Sequence, residues 1–410
     1  MSEQAPERRP GKGPAGIKIE NQPGGPAPSA WAPLALGFRP FFLLGTYFAI
    51  LLMLGSLAGF VAGYRLSGYF PLSIWHAHEM VFGYAVAVIA GFLLTSVRNW
   101  TGLDTPSGRA LALLALLWLA PRLLCFTSIL PPPVFALLDL SFLPVLAIVL
   151  GRLILKAGQT HNYPIPLLLL LLSLCNATVH LDALGLTADL FSPAMQIAVV
   201  MILALIVMIA GRVLPFFMQG AIGVRPEASP VLEKLALPSV LLFALALASA
   251  QDWLIVSSAL FAGLIHSWRL LGWMYGAVWK QPILWILHVG YAWLAAGFLL
   301  YALAELTGLP TAHAIHAWTL GAIGMFTTGM MARVALGHTG RRIEALPWIP
   351  AAFGLVFLAA AIRVVLPSLV PGFMEEAVLI SAACWILAFC IIALRYTSIL
   401  LRARADGKPG

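Results

Sequence analysis

Charged residues are scarce in this chain: 10% of 410 residues, against about 25% in a soluble globular protein. That deficit excludes a soluble enzyme, because too little polar surface is available to face water. Segments of about ten residues with strict polar–apolar alternation are also missing, which excludes a membrane β-barrel. Cysteine is rare; Cys125, Cys175, Cys384 and Cys390 all lie inside apolar runs. No Cys-x-x-Cys pair and no Cys-x-x-Cys-His string occurs, so any haem is non-covalent and b-type. Acidic residues number 16 against 24 basic ones, a net charge of +8. The basic excess sits at the ends of apolar runs. Membrane topology and anionic lipid explain it, so no nucleic-acid partner is needed.

What the chain has in abundance is apolar runs long enough to span a lipid bilayer. Twelve are expected, at about 38–63, 75–97, 110–130, 133–151, 164–186, 193–215, 231–249, 253–272, 283–305, 312–335, 346–367 and 377–401. Turn signals such as Pro131-Pro132-Pro133 and Arg225-Pro226 separate them. The fold class is therefore an all-α polytopic membrane protein of twelve transmembrane helices. Residues 31–402 form this domain, followed by a short C-terminal tail over 403–410. Residues 1–30 alternate Pro and Gly with charges and are expected to be a disordered tail. Nearly all Lys and Arg fall on the side shared by both termini, with Arg65 and Arg363 on the other. The positive-inside rule makes the crowded side cytoplasmic, as in a bacterial inner membrane.

That orientation brings histidines together at the outer face. His76 and His78 open the second span, His313 and His316 open the tenth, and His180 ends the fifth. Neutral imidazole is the commonest protein metal ligand, and it is costly in hydrocarbon without a partner. The paired sets therefore point to metal or haem ligation, with a proton relay as the alternative. His76 and His78 project about 200° apart on a helix and so serve different neighbours. His313 and His316 share a face, as do His76 and Glu79, whose carboxylate is placed to orient a ligating imidazole. The primary axial ligands are expected to be His78 and His316, with His76 and His313 as second or copper ligands. His266, His288 and His338 form a separate inner group that is a candidate for a second cofactor.

Charges inside the spans carry further information. Arg122 in span 3 either pairs with Asp139 in span 4 or binds a haem propionate. Arg39 and Arg333 at inner helix ends either hold propionates or anchor to headgroups. Gly83, Ala87, Gly91, Gly321 and Gly324 either allow close helix packing or leave room for a flat macrocycle. Spans 2, 6 and 10 end alike in Arg, a faint sign of three four-helix units in a ring.

Five strings, in order, carry a family resemblance: Phe38-Arg39-Pro40-Phe41-Phe42, Trp75-His76-Ala77-His78-Glu79-Met80, Asn99-Trp100-Thr101-Gly102, His316-Ala317-Trp318-Thr319-Leu320-Gly321-Ala322-Ile323-Gly324 and Leu336-Gly337-His338-Thr339-Gly340-Arg341. From Phe38 onward the chain resembles the NnrS family. The resemblance implies a bacterial inner-membrane protein associated with haem and copper, linked to nitric oxide and denitrification, that relieves nitrosative stress. It covers His76, His78, Glu79, His316, His338, Arg39 and Arg333; His313 lies just outside the matched string. Arg98 departs from the family pattern and receives no role. A more distant likeness, of topology only, is to haem-copper oxidase catalytic subunits. Span 6 lacks their copper-binding histidine.

The functional expectation is a membrane haem protein, with copper as a further cofactor, acting on nitric oxide or iron-nitrosyl species. Binding alone and turnover as an oxidoreductase fed by a membrane electron donor both stay open. The alternative is a proton-coupled secondary transporter of twelve helices using Arg122, Asp139 and the histidines.

Overall fold

The computed structural model describes residues 30–63, 68–227 and 229–408. The expected tail therefore lies, apart from Ala30, outside the described residues, as does Arg65.

Each expected apolar run forms a helix. In order they are α1 (Phe38–Ala62), α2 (Leu72–Thr101), α3 (Gly108–Leu124), α4 (Pro132–Lys156), α5 (Pro164–Ala183), α6 (Phe191–Ile222), α7 (Pro230–Ser249), α8 (Asp252–Leu271), α9 (Pro282–Thr307), α10 (Ala312–Gly337), α11 (Ile349–Leu369) and α12 (Met374–Leu401). Eleven are long and apolar enough to cross a membrane, while α3, at 17 residues, is shorter. The chain is an all-α, multi-pass membrane protein. Proline sets several starts: α4, α5, α7 and α9 carry it in their first turn, where its missing N–H costs nothing.

Helices α2, α6 and α10 are the most buried of the eleven, with 78%, 67% and 94% of their apolar windows inside the protein. They meet around a small apolar cavity between Val88, Ile206 and Phe326. The most buried helix, α10, is also the least hydropathic. Its Gly, Ala and Thr residues let neighbours approach closely, whereas lipid-facing helices must be apolar on the outside. The other helices surround this trio, and α12 packs on α1 to close the ring.

Two of the central helices carry one π-helical segment each: Glu79–Ala85 in α2 and Ala317–Ile323 in α10. Each begins directly after a histidine, His78 or His316. Such segments insert a residue into the helical repeat and turn the following side chains to a new direction. In α2 the indole N–H of Trp118 donates to the Gly83 carbonyl at 3.1 Å.

The two chain ends meet at one end of the bundle. Trp31 bridges to Arg402, with Ala32 N–H to Leu401 O and Ala403 N–H to Ala30 O, both at 2.8 Å. Buried Arg39 donates to the carbonyls of Ile399, Leu400 and Arg402, the last turn of α12. Those carbonyls have no partner within the helix. Arg39→Met is expected to remove about 1–3 kcal/mol of stability. A lowered thermal midpoint in detergent with unchanged cofactor content checks this, and an unchanged midpoint refutes it.

Candidate metal centre

The head of α2 presents two histidines to opposite neighbours, as their angular separation requires. His78 faces α3, α4 and α5. His76 faces α1 and the head of α10.

On the first side, Asp139 of α4 is the hub and is only 3% exposed. Its Oδ2 accepts from His180 Nε2 at 3.0 Å and from Asn176 Nδ2 at 2.9 Å, both on α5, and lies 3.3 Å from His78 Nε2. Its Oδ1 is 2.7 Å from Arg122 Nη1 of α3. Asn176 and His180 share a face because they are four residues apart. The α4 helix is interrupted at Ser141, two residues beyond Asp139, where Ser141 Oγ donates back to Leu138 O. Glu79 completes the cluster: Oε1 lies 3.1 Å from His78 Nδ1, and Oε2 accepts from Arg122 Nε at 3.1 Å. Tyr69 OH sits 3.0 Å from His180 Nδ1. Phe70 lies beside both imidazoles and Phe82 beside His78, so water is excluded.

Ligand atoms of His78, Asp139 and His180 all lie within 4.8 Å of one another, the one such group of three among the described residues. Donors around a tetrahedral ion with bonds near 2.0 Å are about 3.3 Å apart. The two His–Asp separations, 3.0 and 3.3 Å, lie near that spacing, and without an ion they bring each imidazole nitrogen to the carboxylate. Behind each imidazole stands a group that fixes its other nitrogen, Glu79 for His78 and Tyr69 for His180. Ligating histidines are held in this way in metal sites. Imidazole with carboxylate is a donor set that copper accepts, so these residues fit a copper ion.

The second side gathers His76, His313 and His316. Ser56 Oγ donates to Leu52 O, so it accepts from His76 Nδ1 at 2.8 Å. His316 Nδ1 donates to Ala312 O at 2.7 Å. Both tautomers are thereby set with the Nε2 lone pair available, the form that binds metal. His316 interacts electrostatically with His76, His313 and Arg363. The buried His313 Nδ1 has no hydrogen-bond partner among the described residues. The rings of His76 and His316 keep some exposure, whereas His78 keeps none. With an available Nε2 on each, His76 and His316 carry the donor that haem iron takes.

The placement corrects several expectations. His78 pairs with His180 and Asp139 rather than with His316, because the helical repeat turns it away from α10. Glu79 supports His78, not His76; its side chain lies between His78 and Arg122. Arg122 makes the ion pair with Asp139 and a second with Glu79, so it is committed within the protein. The glycines are packing positions. A Cβ on Gly83 would meet the Phe48 ring at 2.6 Å, and one on Gly321 the Trp293 ring at 2.4 Å.

The inner histidines are not drawn into one donor set. His266 accepts from Tyr291 OH at 2.7 Å, and Arg269 donates to the same hydroxyl at 2.9 Å. His288 Nδ1 donates to Leu284 O. His338 lies against Phe38, and its carbonyl accepts from Arg404. Arg333 stacks on Phe217 with 3.5 Å to the ring centroid, and Arg39 caps α12. Two members of the outer cluster, Tyr69 and Asn176, were not expected from the sequence. Asn176 carries the one available signal, an amide one turn before His180 in a Leu-rich span.

No curated protein matches the chain. A family model, described as NnrS protein, matches residues 32–404. With that match across most of its length, the chain belongs to the NnrS family.

Proposed function

We propose that the chain is a haem- and copper-binding membrane protein of the nitric oxide response, acting on nitric oxide or iron-nitrosyl species. The observation that carries this reading is the buried His78, Asp139, His180 donor set with Glu79 and Tyr69 behind it. His78 and His180 would supply imidazole nitrogens to copper and Asp139 one carboxylate oxygen. His76 and His316 would hold haem, with His313 beside them. Ferrous haem there would supply an iron that takes up small diatomic ligands in exchange for one of these imidazoles. The protein's own residues supply the rest. Ser56 and the Ala312 carbonyl fix the imidazoles, and the aromatic rings keep water out. In this reading the histidine-bearing helix heads face the periplasm and both termini face the cytoplasm, as the Lys and Arg distribution implies.

Metal analysis and an optical spectrum of one purified sample test the proposal. The expected result is copper, a Soret band, and a shift of that band on adding nitric oxide.

The buried network of Glu79, Arg122, Asp139 and two histidines favours one second reading, a proton-coupled transporter. Colourless, metal-free protein that moves protons in vesicles would replace the first reading with this one.

A further inference from the structure

Resting on the nitric oxide reading above, we infer that a cleft between α1 and α3 is the port by which a small apolar gas passes from the bilayer to the two histidine groups. The helices stand on either side of a cavity of about 220 Å³, with Trp75 of α2 between them. Leu44, Tyr47, Phe48, Leu51, Leu52 and Gly55 recur at helical spacing, so one stripe of α1 forms the first wall. Trp118, Leu119 and Leu123 of α3 form part of the other. At the lip, Tyr47, Leu51, Leu123 and Phe126 are exposed apolar side chains, which in a membrane meet acyl chains. At the inner end, Leu52, Trp75, Trp118 and Arg122 are buried.

That inner end stops between the two sites. Arg122 pairs with Glu79 and Asp139, beside His78. Trp75 directly precedes His76, and the Leu52 carbonyl accepts from the Ser56 hydroxyl that holds His76.

The lining decides what can enter, and it is almost wholly apolar. The Trp118 indole N–H is bonded to Gly83 O, and the Tyr47 hydroxyl is paired with Thr397. Arg122 Nε donates to Glu79 and Nη1 to Trp118 O. A buried water needs about two to four polar partners, and a quinone ring needs them at its carbonyls. A diatomic gas needs none. An apolar cavity of about 150 Å³ stays dry and takes up xenon or benzene, so this cleft has room for a gas. Apolar solutes leave water for lipid, so the gas is more concentrated at the lip than in the aqueous phase.

Two measurements on the full-length protein test the inference. Crystals pressurised with xenon are expected to show xenon in the cleft beside Leu119 and Trp75, and Leu119→Trp is expected to exclude it. In lipid nanodiscs, stopped-flow mixing with nitric oxide is followed at the Soret band. Leu119→Trp is expected to slow association on the order of 10-fold and release by the same factor. Kd then stays unchanged, because a blocked path alters neither end state; a substitution that distorted the site would change it. Leu51→Trp on the exposed lip is expected to act in the same direction, and it decides if Leu119→Trp does not fold. Leu113→Trp, exposed on α3 away from the cleft, is expected to change nothing. Xenon absent from the cleft, an acyl chain there in its place, wild-type rates in the cleft variants or a shifted Kd overturns the inference. Protein without a Soret band overturns the functional reading instead, and the inference falls with it.

Discussion

Asp139→Asn is expected to strip the metal ion from the centre, lowering its affinity by at least about 100-fold. Partners that merely orient a ligand already account for 10–100-fold. The substitution keeps the shape of the side chain and changes two things. It removes the anionic oxygen that His180, Asn176 and His78 surround, and it removes the charge opposite Arg122. Arg122 retains Glu79, so no guanidinium is left bare in the interior and the fold should persist. Metal analysis alongside a thermal melt separates loss of the ion from loss of structure. Wild-type metal content in folded Asp139→Asn protein would rule out this centre.

His76→Ala and His316→Ala should each bleach the Soret band, while His78→Ala should spare it and empty the metal centre. The asymmetry follows from the two directions in which the head of α2 points. His76 and His316 are the imidazoles whose Nδ1 is already donated, to Ser56 and to Ala312, and whose Nε2 remains available. His78 has its Nδ1 at Glu79 and its Nε2 facing Asp139 and Asn176, so it points into the metal centre and away from the second side. Haem content per protein, read from the pyridine haemochrome of each variant, is the measurement. Equal haem loss in His78→Ala and His76→Ala would show that the two sides of α2 are not independent.

The architecture was legible because a bilayer makes one demand of every span, and each run of apolar residues meets it locally. All twelve apolar runs became helices in the expected order. Eleven of them are long and apolar enough to cross a membrane, and the described chain ends meet, Trp31 with Arg402. Only α3 falls short in length, at 17 residues, with Pro121 inside it and its end at Leu124. The recurrence of Arg at the ends of spans 2, 6 and 10 corresponds to the three helices that occupy the centre.

The outer site was half legible. An imidazole or guanidinium in a membrane span stands out against its neighbours, so His76, His78, His180, His313, His316 and Arg122 were all found. Their grouping was not. Asp139 stands out in the sequence only as a partner for Arg122 or a proton-coupling group, and Asn176 and Tyr69 carry no comparable signal. The π-helical segments after His78 and His316 have no local sequence signature; in α2 the Trp118 indole from another helix bonds the Gly83 carbonyl within the segment.

The sequence alone determined that this chain lies in a membrane, which segments form its apolar helices, and which side chains are too costly there to be idle. These are properties of single helices in lipid, decided by hydropathy and charge. The tertiary structure alone decided which helices face one another, and so which histidine meets which carboxylate. Packing of small residues along α2, α6 and α10 fixes those rotations over distances that no local pattern encodes. It is that packing which turned His78 toward Asp139 and left His76 for α10.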